Sequence, residues 1–95
     1  VALGTDGSAS NNDLDMFGEM TSAALLQKVA GLDPTLLPAA DVLGMATTAA
    51  ARALGMEGRL GVLAEGALAD IIVIDTNAPH LTPMYSAVSH LVYAA

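Results

Sequence analysis

The pattern of hydrophobic and polar positions divides the first thirty residues into a short apolar start, a polar loop and one long helix. Val1–Leu3 is typical of the end of a buried strand, and Gly4–Asn12 has the glycine-, serine- and asparagine-rich composition of a loop. Asp13 and Asp15 stand where a helix start favours acids, because free backbone N–H groups and the helix dipole attract negative charge. The helix is predicted to run to about Ala30, with Gly31 stopping it. Its apolar stripe follows spacings of three and four: Met16, Met20, Ala23, Leu26 and Ala30. Other apolar residues lie off this stripe, which predicts cover on more than one side: Phe17, Leu25 and Val29.

The next segment, LDPTLLPAADVLGMATTAAARALG, predicts two further helices. Pro38 suits the first turn of the first one. Its apolar face is formed by Ala39, Val42, Leu43 and Ala46. Thr47 or Thr48 is expected to cap the second helix. Gly55 follows that helix as a natural left-handed terminator.

After Gly55 the chain alternates glycines with short β-rich runs. Ile71–Ile74 is a β-branched run that predicts a strand, and Val88–Tyr93 is interpreted as a second strand. The order of strand, loop, three helices and β-structure predicts a piece of an α/β layer followed by the start of a β-domain.

Composition indicates that this chain is covered by other protein. Apolar residues make up 54% of the sequence and charged residues only 14%, against about 25% charged in a typical soluble domain. No uncharged apolar run approaches the ~20 residues of a membrane-spanning helix. The net charge of −7, with three basic residues, argues against nucleic-acid binding. The absence of cysteine excludes disulfides and thiolate metal sites. A cytoplasmic location is the default expectation.

The loop GTDGSAS after the first strand is the candidate functional motif, because α/β proteins place ligands where strands end. It lacks the lysine and the glycine spacing of a phosphate-binding loop, and Asp6 would repel a phosphate. From the local residues alone, Asp6 is first interpreted as a turn residue that bonds its own backbone, because a lone aspartate is a weak signal of a site.

Four motifs in succession carry a resemblance over nearly the whole chain: LGTDGSASNNDLDMFGEM, LPAADVLGMATTAAARALG, GRLGVLAEGALADIIVID and HLTPMYSAVSHLVYAA. They resemble the C-terminal third of the amidohydrolase superfamily, in the branch of S-adenosylhomocysteine/methylthioadenosine deaminases, chlorohydrolases and cytosine-deaminase-like enzymes. The resemblance implies a (β/α)8 barrel with one divalent metal and a small β-sandwich domain. Residues 1–57 are then the C-terminal part of the barrel, and residues 58–95 are part of the sandwich and its return segment. Both are incomplete in this sequence.

The resemblance also assigns the candidate site. Asp6 matches the aspartate that ends the eighth barrel strand, where it ligates the metal, usually zinc and sometimes iron, and takes a proton from the hydrolytic water. Ser10, Asn11 and Asn12 follow on the loop that lines the pocket mouth, so they are expected to contact substrate. Ser10 is the first choice, and the asparagines are alternatively explained as residues that hold the loop. The other metal ligands are implied to lie outside this sequence.

The remaining polar residues are expected to be structural. His80 and His90 form no metal-binding pattern, and the resemblance places them in a segment that packs beneath the barrel. Asp70 is expected to bond backbone in the turn EGALAD, where Ala67 replaces a common lysine. Ser86–Ala87 replaces a frequent Asp-Pro pair. Arg52 is expected to be a helix-end charge.

The function predicted from this resemblance is hydrolysis of a C–N bond, a deamination, on a nitrogen heterocycle of the adenine type. One alternative is a chlorohydrolase that acts on a triazine-like ring. Another, from a different class, is a non-catalytic scaffold or binding module. The implied partners are a small heterocyclic substrate and either the rest of the barrel or further copies of the chain. On its own, the 95-residue chain is expected to be inactive.

Overall fold

The computed structural model describes all 95 residues and contains four α-helices: α1 (Met16–Gly31), α2 (Ala39–Ala46), α3 (Thr48–Ala53) and α4 (Ala87–Tyr93). A short 3-10 turn covers Pro79–Leu81. Helix α1 packs on α2 and α4, and α2 also packs on α3 and α4. None of the helices is long and apolar enough to cross a membrane.

The shared core of these helices is small. Only six of the 95 residues are buried. Four of them form one cluster at the junction of α1, α2 and α4: Met20, Ala24, Val42 and Val92. The Thr21 hydroxyl ties α1 to α4 because it donates to the Val92 carbonyl at 2.6 Å. The radius of gyration is 14.2 Å, whereas a compact chain of this length is expected to have about 12.4 Å.

Helix α1 begins as predicted, since the Asp15 carboxylate accepts a hydrogen bond from the Phe17 N–H at 2.9 Å. Its end differs by one residue. Gly31 is the last helical residue, and Leu32 adopts the left-handed conformation with φ 50°. The two backbone bonds that close the helix run from the N–H groups of Leu32 and Asp33 to the carbonyls of Val29 and Lys28.

The predicted apolar stripe of α1 is only partly the packing face. Of its members, Met20 is buried, but Leu26 is 66% exposed and Ala30 is exposed. The face that meets α2 and α4 centres on Met20 and Ala24 instead. Large apolar side chains on the other sides of the helix are exposed, namely Leu25, Leu26 and Val29.

The predicted helices after Pro38 are confirmed, with two corrections at their ends. Pro38 is the N-cap of α2 and not a residue of its first turn. The Thr47 hydroxyl does not cap α3, because it donates to the Leu43 carbonyl at 2.7 Å. Gly55 is the predicted left-handed terminator, with φ 70°. Two bonds close α3 around it, from Gly55 N–H to the Arg52 carbonyl and from Met56 N–H to the Ala51 carbonyl.

The strand predicted at Val88–Tyr93 is wrong, because this segment is helix α4. The Ser86 hydroxyl caps it by accepting from the Ser89 N–H at 3.3 Å. Val92, which is fully buried against α1 and α2, faces the core at a helical spacing from Val88. Packing of this face outweighs the β-propensity of its valines and tyrosine.

The other two predicted strands are also absent: Val1–Leu3 and Ile71–Ile74 carry no strand pairing, and the one β-bridge joins Glu57 and Leu60. Leu3 donates its N–H to the Met45 carbonyl of α2 at 3.1 Å. Val73 is 95% exposed. A strand exists only where a neighbouring strand accepts its ladder bonds, and these segments have none in this chain. A β-sandwich and the division between residues 57 and 58 therefore stay predictions.

The turn EGALAD is held by backbone bonds and not by Asp70. Leu68 N–H donates to the Arg59 carbonyl at 2.8 Å, and Ala67 N–H donates to the Ala64 carbonyl at 3.1 Å. The Asp70 side chain is exposed and lines an apolar cavity between this segment, α1 and α2. The expected Asp70–backbone bond is therefore wrong.

Gly61 holds the turn segment close to the α2–α3 junction. It has φ 73°, and a Cβ built on it would lie 2.5 Å from the Thr47 carbonyl oxygen. Gly58 has nearly the same φ, 76°, but a Cβ there would meet nothing within 4 Å. Both glycines therefore adopt a positive φ that disfavours other residues, and only at Gly61 would a side chain also clash with neighbouring backbone.

We predict that Gly61→Ala destabilises the full-length protein more than Gly58→Ala does. Gly58→Ala should cost about 1–2 kcal/mol for the left-handed conformation alone. Gly61→Ala should add ~1–3 kcal/mol, because the backbone of Thr47 must move. Denaturant unfolding of both variants measures the difference. Equal losses of stability would show that the approach of Gly61 to Thr47 does not matter.

Candidate functional site

The loop between Gly4 and Asn12 leads into α1 and contains all the predicted site residues. The N–H groups of Ser10 and Asn11 both donate to the Gly7 carbonyl at 2.9 Å, so the loop closes one tight turn after Asp6. The Asp15 cap of α1 follows four residues after Asn11. A short, hydrogen-bonded loop thus connects Asp6 to a rigid helix.

Asp6 lies in a strained backbone conformation with an exposed carboxylate. Its φ is 59°, in the left-handed region that non-glycine residues seldom adopt. Its Oδ1 accepts a hydrogen bond from the Gly7 N–H at 2.8 Å, and no protein group bonds Oδ2. The Thr5 hydroxyl donates to the Asp6 carbonyl at 3.1 Å. Strained residues of this kind cluster at functional sites.

Asp6 fits one ligand position of a metal site but not a whole site. A carboxylate with one oxygen fixed by a backbone N–H and the other free suits a single bond to a divalent cation. No group of three or more His, Cys, Asp or Glu side chains in the chain could hold a metal ion. Asp6 could therefore supply one metal ligand, and the chain by itself does not form a complete metal site.

The three predicted substrate-contact residues differ in their surroundings. Ser10 and Asn12 are exposed, and neither side chain makes a hydrogen bond within the chain. Asn11 is half-buried and its amide is fully engaged: Nδ2 donates to the Thr5 carbonyl at 3.0 Å and to the Glu19 carboxylate. The Asp13 N–H donates to Asn11 Oδ1 at 3.4 Å. Asn11 thus fits the alternative that it holds the loop.

Glu19 is the member of this network that sequence reasoning missed. It lies in the first turn of α1, where an acid is explained by the helix dipole alone. Its link to Asn11 depends on how the loop folds back over the helix start. No local spacing signals that contact.

The apolar cavities lie away from Asp6. One, of about 430 Å³, lies between α1, α2 and residues 61–74. The other, of about 590 Å³, is lined by side chains such as Leu3, Leu26 and Met45. Neither is lined by a residue of the Gly4–Asn12 loop. These cavities are unpartnered apolar faces, and none of the predicted site residues lines either of them.

The remaining predicted residues have structural surroundings. His80 is exposed in the 3-10 turn. His90 places its two ring nitrogens 2.9 Å from the Ser86 carbonyl oxygen and 3.0 Å from that of Pro83. Arg52, in the last turn of α3, forms an exposed ion pair with Glu57 at 2.8 Å. Such a surface pair contributes about 0–1 kcal/mol.

Sequence comparison finds close relatives that are much longer than this chain. The chain is 64% identical over all 95 residues to a 5-methylthioadenosine/S-adenosylhomocysteine deaminase of Syntrophobacter fumaroxidans, of which it covers 22%. It is 59% identical over 95 residues to a 5'-deoxyadenosine deaminase of Methanothermobacter thermautotrophicus, again covering 22%. The chain therefore spans about a fifth of the length of these relatives.

A solved structure shares the fold of this part. The chain is similar to an adenosine deaminase from Xanthomonas campestris, determined with bound zinc, with a TM-score of 0.94 and 48% identity. The match covers 99% of this chain and 21% of that protein. The sequence profile of the Amidohydrolase family matches residues 1–94. Taken with the strained aspartate at the start of the chain, these matches show that the chain belongs to the Amidohydrolase family.

Proposed function

We propose that these residues are the C-terminal part of a metal-dependent aminohydrolase that deaminates an adenine-type nucleoside. The observation that carries this proposal is Asp6, an exposed carboxylate at a strained position with one oxygen free. The relatives described above are deaminases of such nucleosides, which favours deamination over chlorohydrolysis. The large exposed apolar surface supports a chain that the rest of a barrel covers, and weighs against a stand-alone scaffold. A cytoplasmic location stays a prediction.

Asp6 would be one ligand of a divalent metal, with zinc as the first choice because the structural neighbour binds it. When bound, such a metal would supply the Lewis acidity that makes water a nucleophile near neutral pH. The Gly7 N–H holds Asp6 Oδ1, which leaves Oδ2 to face the metal and the water. The small residues beside Asp6 keep the loop slim, so that a heterocycle has room to approach.

In the proposed reaction Asp6 moves one proton. Its carboxylate takes a proton from the attacking water, whose oxygen bonds to the ring carbon that carries the amino group. The same carboxylate then returns the proton to the departing nitrogen as the C–N bond breaks. One water is consumed and one ammonia is released. Ser10 is exposed and has no partner in the chain, which supports a contact with the substrate at the pocket mouth.

The activity is tested with the full-length protein and zinc. We expect release of ammonia from 5'-methylthioadenosine, S-adenosylhomocysteine, 5'-deoxyadenosine or adenosine, followed by a coupled ammonia assay. Chlorinated triazines serve as the comparison substrates. Turnover of the triazines with no turnover of any adenine nucleoside would replace the proposal with the chlorohydrolase alternative.

We predict that Asp6→Ala abolishes turnover and weakens metal retention, because it removes a ligand and the proton acceptor together. Asp6→Asn is the matched variant, since asparagine tolerates the left-handed conformation and keeps an oxygen for the Gly7 N–H. It should retain more metal while losing nearly all activity. Metal content by mass spectrometry and kcat by ammonia release measure the two effects. Normal turnover in Asp6→Ala would reject the assignment.

We predict that Ser10→Ala changes substrate preference or KM more than metal content. The Ser10 hydroxyl has no partner within the chain, so its loss leaves the loop itself intact. The measurement is kcat and KM on each adenine nucleoside, together with bound zinc. Unchanged kinetics on all of them would make Ser10 an ordinary loop residue.

We predict that residues 1–95, expressed alone, are inactive and self-associate. The chain should be inactive because a single carboxylate binds a divalent ion weakly. It should self-associate because the apolar side chains of α1 and residues 71–73 are exposed to solvent. Bound zinc, deaminase activity and light scattering test this. A monodisperse monomer with tight stoichiometric zinc and turnover would contradict it.

A further inference from the structure

The Asn11 side chain connects the backbone beside Asp6 to helix α1. Its Nδ2 donates to the Thr5 carbonyl at 3.0 Å and to the Glu19 carboxylate. Both partners are acceptors, so the amide nitrogen must face them, and both of its hydrogens are used. Asn11, Thr5 and Glu19 are all half-buried, whereas Ser10 and Asn12 on the same loop are exposed. The contact is thus a fixed bridge and not a loose surface pair.

This bridge acts on Asp6 through the peptide plane that it shares with Thr5. The Thr5 carbonyl and the Asp6 nitrogen belong to one rigid planar unit. The hydrogen bond from Asn11 to the Thr5 carbonyl therefore fixes the peptide plane that precedes Asp6. The Asp6 φ of 59° is measured relative to that plane. Without that hold, the loop is free to relax towards negative φ, which swings the Asp6 carboxylate away from its present direction.

Glu19 supplies the fixed end of the bridge. It lies in α1, whose start is capped by Asp15 and whose body packs on α2 and α4. A carboxylate that accepts from an amide makes a stronger hydrogen bond than a neutral acceptor does. The Asn11 amide is therefore oriented by an element that does not move with the loop.

We propose that Asn11, oriented by Glu19, is a positioning residue for the Asp6 carboxylate and not a substrate contact. The proposal rests on the proposed function, because it takes Asp6 as a metal ligand. It assigns to Glu19 a role at the site that acts through the Asn11 amide.

The test uses the full-length protein, freed of metal and titrated with Co²⁺, whose visible absorption reports both affinity and ligand geometry. Asn11→Ala should weaken Co²⁺ binding about 10–100-fold, as the loss of an outer partner of a metal ligand does. It should change the Co²⁺ spectrum and lower kcat, while KM for the adenine nucleoside changes little. Thermal unfolding of the metal-free variant checks that it is folded.

Matched variants separate positioning from general damage. Glu19→Gln keeps an oxygen that accepts from the Asn11 amide, so its Co²⁺ affinity and spectrum should stay close to those of the unmodified protein. Glu19→Ala should behave like Asn11→Ala, and the double variant should be no worse than either single one. Asn12→Ala, the same change one residue further along, should leave Co²⁺ affinity unchanged.

Two results would overturn the positioning role. One is an Asn11→Ala protein with unchanged Co²⁺ affinity and a raised KM, which would make Asn11 a substrate contact. The other is a Glu19→Ala protein indistinguishable from Glu19→Gln. If Asn11→Ala does not fold, this comparison of the two Glu19 variants decides alone. Failure of the proposed function has a different signature, since Asp6→Ala would then leave Co²⁺ binding unchanged in the same assay.

Discussion

The constraint on which the rest of the structure depends is that this chain carries more apolar surface than its own elements can cover. Over half of its residues are hydrophobic, yet the core is one small cluster between α1, α2 and α4. Each helix contributes one face to that cluster. The opposite face of α1, with Leu26 and Val29, is exposed. Exposed apolar area of this extent is typical of surfaces that contact another protein, a membrane or a ligand.

The same constraint explains which sequence predictions are right. Helices α1, α2 and α3 depend on signals within a few residues, such as the Asp15 cap and the left-handed Gly55, and all three occur where they were predicted. Strands depend on partners that are distant along the chain. Val1–Leu3 and Ile71–Ile74 have strand composition, but composition cannot supply the neighbour that accepts their backbone bonds. The strand prediction at Val88–Tyr93 is wrong for another reason, because Val92 of this segment is buried against α1 and α2 as part of a helix.

Of the candidate site, the sequence predicted Asp6 but not the separate roles of the residues that follow it. Asp6 alone is a weak local signal, and the succession of four motifs is what singled it out. The structure adds the positive φ and the free Oδ2, neither of which a sequence displays. The roles within Ser10–Asn12 could not be separated by spacing, because three adjacent polar residues look alike. The fold separates them by burial, turning Asn11 inward and leaving the other two outside.

The energetics of the loop show why so small a bridge is sufficient. A left-handed conformation costs a residue with a side chain at most about 1–2 kcal/mol, and an aspartate lowers that cost by bonding locally. A neutral hydrogen bond returns about 1 kcal/mol net, and one to a charged group about 1.5–3 kcal/mol. The free energy of the two Asn11 hydrogen bonds thus matches or exceeds the cost of the left-handed conformation at Asp6. The Gly7 N–H adds a third hydrogen bond, to the Asp6 carboxylate. A loop of small residues has little packing of its own, so its conformation depends on hydrogen bonds to α1. An exposed carboxylate can then keep one direction without being buried, which preserves the access that a water and a heterocycle need.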